Sequence, residues 1–231
     1  MCFDMFYGVY RSNNENVVIV IMNNNTLRRV YSIGYSGFPN VEAFIATLKH
    51  FNIDVLIDVR SSPYSLRFEE YNQDKIKMAL NKAGIYYRNY AREFGARQEN
   101  PSFYTDGILD FRKFANSEQF ADGIKKIEKT VSSGYVPVLM CAEKEPVTCH
   151  RAIMVSKKLE ESLSPIDVEH ILPDGRTKSK DEIDKELLDT YYPDRDQISL
   201  FSDKESDEKK MIEDAYIKQN WKIGYRKENL I

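Results

Sequence analysis

The feature that most constrains the fold is an alternation, begun at Leu27, of short apolar runs with segments of helical spacing. "RRVYSIGYS" has the β-branched and aromatic content of a strand and ends in a Gly/Ser turn. In "NVEAFIATLKHFN", Val41, Phe44, Ile45 and Leu48 recur along one helix face, and Asn40 stands where an N-cap is expected. "DVLIDVR" and "YVPVLMCA" are continuous apolar runs, the pattern of strands buried on both faces of a parallel sheet. Pro137 falls near the start of the second run, where a missing N–H is tolerated. Gly84 and Gly134 close "DKIKMALNKAG" and "SEQFADGIKKIEKTVSSG", as helix C-terminal caps do. "IYYRNY" and "DVEHIL" read as strands, "CHRAIMVSKKLEES" and "SKDEIDKELLDTYY" as helices. Strand then helix, repeated, predicts an α/β fold: three layers, with a mainly parallel sheet flanked by helices.

The pattern bounds the domain at residues 27–193. Residues 1–26 show no clear period and read as an extension. Met22 opens the polar "MNNNT", which makes it an expected natural start and would leave Cys2 without function. Residues 194–210 are charged and poor in apolar side chains, a linker pattern. Residues 211–231 follow as an amphipathic helix through Ile212, Ala215, Tyr216 and Gln219. A flexible C-terminal tail is therefore expected.

Composition narrows the function classes. With 42% hydrophobic and 12% aromatic residues the chain has enough for a core, which excludes wholesale disorder. Basic and acidic residues number 33 and 36, a net charge of −3, so nucleic-acid binding would rest on a local face. Three cysteines without scaffold spacing suit a reducing cytoplasm. The early run "VVIVIM" is too short to span a membrane and follows a polar, not a basic, segment; no membrane association is expected.

In parallel α/β sheets, ligands sit at the carboxyl ends of the strands. "GYSG", "DVRSSP" and "CAEKEP" all lie at such ends. The densest stretch is "VLMCAEKEPVTCHR", residues 138–151. Its C-x7-C gap departs from the C-x2–4-C pairs of zinc sites, and Cys149 and His150 on one helical turn are not expected to reach one ion. No metal site and no cofactor is therefore predicted, with zinc the alternative that the cysteines and histidine leave open. Haem attachment fails at Pro146, and a thioredoxin C-x-x-C is absent. A phosphatase-type loop would need arginine where Val147 and Val155 stand.

What remains is a polar loop running into a helix N-terminus, which favours anions. Cys149, beside His150 and Arg151, has the setting that lowers a thiol pKa; as a nucleophile it would be the accessible thiol and Cys141 the protected one. Asp58, Glu143, Lys144, Cys149 and His150 are the catalytic candidates. Ser36, Arg60, Arg67, Arg97, Cys141 and Arg151 are the substrate-binding candidates. For Asp58 the structural alternative is an ion pair with Arg60. For Cys141 it is burial as a small apolar residue.

"YSIGYSG", "IDVRSSPYSLRF" and "LMCAEKEPVTCHR", in this order, resemble the family catalogued as domain of unknown function 488, over about Val30 to Leu172. The resemblance implies an α/β fold and an intracellular enzyme, and supplies no agreed reaction. The family's first motif often has His where this chain has Tyr35. "IDVR" and the Cys-ended strand also resemble rhodanese domains in architecture, although "CAEKEPVTC" does not match a sulfurtransferase's single-Cys loop.

"QISLF" resembles the peptide by which bacterial repair and replication proteins bind the sliding clamp, with Gln197 for polar contacts and Leu200 and Phe201 as apolar anchors. The expectation is a cytoplasmic enzyme of DNA repair or processing, recruited by the clamp, its arginine and aromatic loops contacting nucleic acid. The alternatives are a cysteine-dependent enzyme on a small anionic substrate and a non-catalytic nucleic-acid or clamp adaptor.

Overall fold

The computed structural model describes residues 7–12, 15–20, 28–195 and 204–227. β1 (Tyr7–Ser12) and β2 (Glu15–Val20) pair antiparallel. The segment that shows no period in the sequence thus forms a hairpin. Then follow β3 (Arg28–Gly34), α1 (Val41–His50), β4 (Val55–Asp58), α2 (Gln73–Lys82) and β5 (Tyr86–Asn89). A short α3 (Ala91–Phe94), the small hairpin β6 (Tyr104–Thr105) and β7 (Ile108–Leu109), and α4 (Phe111–Ala115) lead into α5 (Glu118–Ser132). The chain continues through β8 (Pro137–Cys141), a π-helical stretch (Arg151–Ser156) running into α6 (Lys157–Ser162), β9 (Ile166–Ile171), β10 (Thr177–Lys178), α7 (Lys180–Tyr191) and α8 (Lys204–Ile223).

The central sheet has the order β10-β9-β3-β8-β4-β5. β9, β3, β8, β4 and β5 run parallel, and β10 is antiparallel on β9. The expected mainly parallel three-layer α/β architecture is present. Alternate side chains on each strand feed two cores. Val30, Val55, Ile57 and Leu139 meet Phe120, Ile127, Leu159, Leu187 and Ala215 on one face. Tyr31, Ile33, Leu56, Val138 and Met140 meet Phe44, Leu48, Ile76 and Leu80 on the other. At roughly 1.5–3 kcal/mol for each large apolar side chain withdrawn from water, these two layers supply the main drive to fold.

Local signals explain the helix ends. Asn40 Oδ1 accepts the Ala43 N–H, and the Ser179 and Glu182 side chains form a reciprocal capping box on α7. Gly84 and Gly134 have φ of 80° and 85°, the left-handed conformation expected just past α2 and α5.

The C-terminal helix departs from expectation. It begins at Lys204, inside the stretch whose charge reads as linker, and it packs on the domain with Ala215, Tyr216, Gln219 and Asn220 buried. The "QISLF" residues Gln197, Leu200 and Phe201 lie outside the described residues.

The topology places the site. β3 and β8 are neighbours, but the helix after β3 packs in one core layer and the helix after β8 in the other. The two chains therefore part at the carboxyl edge and leave a crevice between their loops.

A candidate active site at the carboxyl edge of the sheet

Parallel register brings the ends of β3, β8 and β4 side by side: Gly34 pairs with Cys141, and Asp58 with Met140. The loop after β8 folds tightly over this edge. Ser36 N–H donates to Ala142 O at 3.0 Å. Arg151, fully buried, donates from Nη1 to Glu143 O at 2.6 Å and from Nη2 to Lys144 O at 3.1 Å. A Cβ on Gly34 would lie 1.8 Å from Glu143 O, so only glycine lets the loop sit this close to β3.

Within this loop Cys141, Glu143, Cys149 and His150 converge. Both thiol sulfurs contact Glu143 Oε2, Cys141 at 2.9 Å and Cys149 at 3.0 Å. His150 Nδ1 lies 3.8 Å from Cys141 Sγ, and its Nε2 lies 3.0 Å from Val59 O. A carbonyl can only accept, so Nε2 carries a proton, and Nδ1 is the ring nitrogen turned to the Cys141 sulfur.

One backbone detail makes this convergence. Cys149 is extended, with φ −127° and ψ 136°, after a 3-10 turn at Pro146–Thr148, and His150 is the first residue in helical conformation. Cys149 and His150 therefore do not share a helical turn, which corrects the expectation that they could not face one point.

Electrostatics inside the cluster are uneven. Burial pushes the Cys141 thiol well above its ordinary pKa, reinforced by Cys149 and Glu143. Burial acts the same way on Cys149, but its hydrogen bond with Cys141 and the charges of Arg151 and His150 overcome it and hold that thiol well below the usual range. Burial and the Cys149 charge raise Glu143. For His150, burial opposes protonation, and contact with Cys149 and the Glu143 charge outweigh it and raise the pKa.

The cluster forms one wall of a cleft of about 450 Å³, lined also by Tyr35, Arg60, Ser61, Tyr64, Arg97 and Tyr225. Cys141, Glu143 and His150 line it; Cys149 lies behind them and is 1% exposed. The thiol expected to be accessible is thus buried, as Cys141 is, and of the two only Cys141 lines the cleft. Arg97 sits on the rim with its guanidinium 5.0 Å from the Tyr225 ring.

The remaining candidates have other placements. Asp58 is fully buried and takes Arg60 Nε and Nη2 at 2.8 and 2.6 Å and the Tyr87 hydroxyl at 2.8 Å. That is the pairing role, and its carboxylate stands behind Arg60 instead of facing the cleft. Arg60 also lies 5.1 Å from the Tyr35 ring, with the Tyr35 side chain its polar neighbour, while its buried Nη1 meets no close hydrogen-bond acceptor among the described residues. Arg151 braces the loop and does not line the cleft. Ser36 contributes a backbone bond. Lys144 lies toward Pro173 and Asp174. Arg67 packs over Phe68, 5.1 Å from its ring.

Tyr64 belongs to the arginine and aromatic loops that the sequence marks as a stacking surface, whereas the contribution of Tyr225 was missed. Tyr225 arrives from the far end of the chain, carried to the rim by α8, so no local pattern points to it.

A family model described as Domain of unknown function DUF488 matches residues 40–157, from the N-cap of α1 through the loop bearing the cluster. No curated protein and no solved structure matches the chain.

Proposed function

Since the chain belongs to the family described as Domain of unknown function DUF488, a description that states no reaction, we propose its function from the site: an enzyme that holds an anionic substrate in the cleft and reacts with it at the Cys141–Glu143–Cys149–His150 wall. The observation that carries this reading is the Arg60 guanidinium on the wall that also bears Cys141 and His150: among the described residues its buried Nη1 meets no close hydrogen-bond acceptor, and the Tyr35 side chain is the polar neighbour beside it. A buried donor left unpaired costs about 1–3 kcal/mol, and an oxyanion in the cleft removes that cost. Asp58 holds Nε and Nη2 of the guanidinium, so Nη1 is fixed in position in advance. Arg97 adds a second cation from the rim.

The test is thermal shift and calorimetry on the full chain with inorganic phosphate, sulfate and nucleoside monophosphates. At least one should raise the Tm of the wild type, with affinity falling about tenfold or more in Arg97→Ala and in Arg60→Gln. Absence of any shift with all of them would end the anion reading.

A second reading, in which the anion belongs to a nucleic-acid strand, is favoured by Tyr64, which stands 56% exposed on the cleft and offers a stacking face beside Arg97. The clamp-like "QISLF" agrees with it. A single-stranded oligonucleotide should then bind more tightly than a mononucleotide and weaken steeply with salt, and Tyr64→Ala should reduce oligonucleotide binding alone.

A further inference from the structure

Four ligating atoms, one each from Cys141, Glu143, Cys149 and His150, lie within 4.8 Å of one another at the cleft wall. We propose that they form a binding site for a soft divalent ion of the zinc class, with both cysteines and His150 Nδ1 as its strong ligands and Glu143 as the fourth, on the side facing the cleft.

The spacing suits such an ion. Zinc bonds of about 2.0–2.3 Å in a tetrahedron set ligand atoms roughly 3.3–3.8 Å apart. Cys141 Sγ and His150 Nδ1 are already 3.8 Å apart. The two sulfurs, at 2.9 and 3.0 Å from one Glu143 oxygen, need to draw back from it by about half an ångström.

The surroundings are those of a ligand set. Val59 O accepts from His150 Nε2, which fixes the tautomer that leaves Nδ1 free for a metal. Arg151 pins the two carbonyls at the centre of the loop, and Gly34 lets that loop close against β3. Nothing in packing requires two buried sulfurs and a buried imidazole gathered on one carboxylate, and burying these three side chains together without a further partner is costly. Two thiolates and an imidazole select zinc-like ions over magnesium or calcium, which take oxygen ligands.

Binding is a plain exchange: the protons still held by the cluster, that of the Cys141 thiol among them, go to solvent, two metal–sulfur bonds form, and no electrons change hands. The part the ion plays in turnover rests on the function proposed above; its presence does not, and it is measured without turnover.

The experiment strips the full chain with a chelator under reducing conditions and titrates it with cobalt(II), then with zinc(II). Wild type should take up one equivalent of cobalt with thiolate-to-metal charge-transfer absorption and tetrahedral d–d bands, and zinc should displace it and raise the Tm. Cys141→Ser and Cys149→Ser should each weaken the charge-transfer band by about half and zinc affinity by about a hundredfold. Cys2→Ser should change neither. Absence of a thiolate band in reduced wild type overturns the proposal whatever the variants do. So does undiminished zinc uptake by a Cys141→Ser/Cys149→Ser double variant whose circular dichroism is native. If phosphate still shifts the Tm of a wild type that takes up no cobalt, the anion-binding reading stands and this one falls. Stoichiometric cobalt binding without any response to anions separates them the other way.

Discussion

At the scale of single residues, two buried titrating groups act in opposite senses. His170 lies in the core against Ser32, and burial, aided by the Arg151 charge, lowers its pKa from 6.5 to about 3. Between these values the unfolded chain binds a proton that the folded one refuses. The stability this group contributes is therefore full above pH 6.5 and lost as pH falls toward about 3. Glu160 accepts the Val168 N–H and is raised by burial from 4.5 to about 7. Here the folded chain binds the extra proton, so the contribution is full below pH 4.5 and lost as pH rises through about 7. From pH 4.5 to 6.5 the two slopes oppose each other. Melting curves across that window should show the Tm of His170→Gln, relative to wild type, climbing as pH falls, and that of Glu160→Gln climbing as pH rises. Differences that stay flat with pH would mean that neither group is shifted.

At the scale of elements, what was legible in the sequence is what depends on local pattern. β4 and β8 stand out as unbroken apolar runs because both faces are covered, and Asn40, Gly84 and Gly134 mark helix ends through backbone requirements that few residues meet. Three things escaped. The hairpin β1–β2 carries no clean alternation, and the docking of α8 depends on a long-range match that no window of sequence contains. The meeting of Cys149 with His150 turns on one extended residue ahead of a helix, where consecutive letters suggest a single turn.

The α8 match can be tested. Asn220 Oδ1 accepts the Phe111 N–H at 2.9 Å, and its Nδ2 donates to Leu109 O at 2.8 Å. Asn220→Ala leaves both groups buried and unpaired, at about 1–3 kcal/mol each. The variant should melt several degrees lower and admit protease in α8 before the rest of the chain is cut. An unchanged melt and digestion pattern would show that α8 is not held at this point.

At the scale of the whole molecule, a chain with a net charge of −3 gathers Arg60 and Arg97 at one cleft, with α8 bringing Tyr225 to its rim. α8 is also tied to the loop of the cluster, since Gln219 Nε2 donates to Val147 O. "QISLF" lies between α7 and α8 in the chain, so any partner bound there is tethered close in sequence to a helix that borders the site. If that partner is the sliding clamp, a peptide covering Asp194 to Asp203 should bind purified clamp without the domain. Affinity should be on the order of micromolar, because ordering a free peptide opposes binding. Replacing Leu200 and Phe201 with alanine in the full chain should remove clamp binding, since apolar anchors carry most of the energy of such motifs. The same double variant should keep the wild-type Tm and its response to phosphate, because a linear motif contributes little to the core. A large fall in Tm, with no clamp binding by the peptide, would make these side chains packing residues. Recruitment to DNA would then lose its support, leaving an enzyme for a small anion.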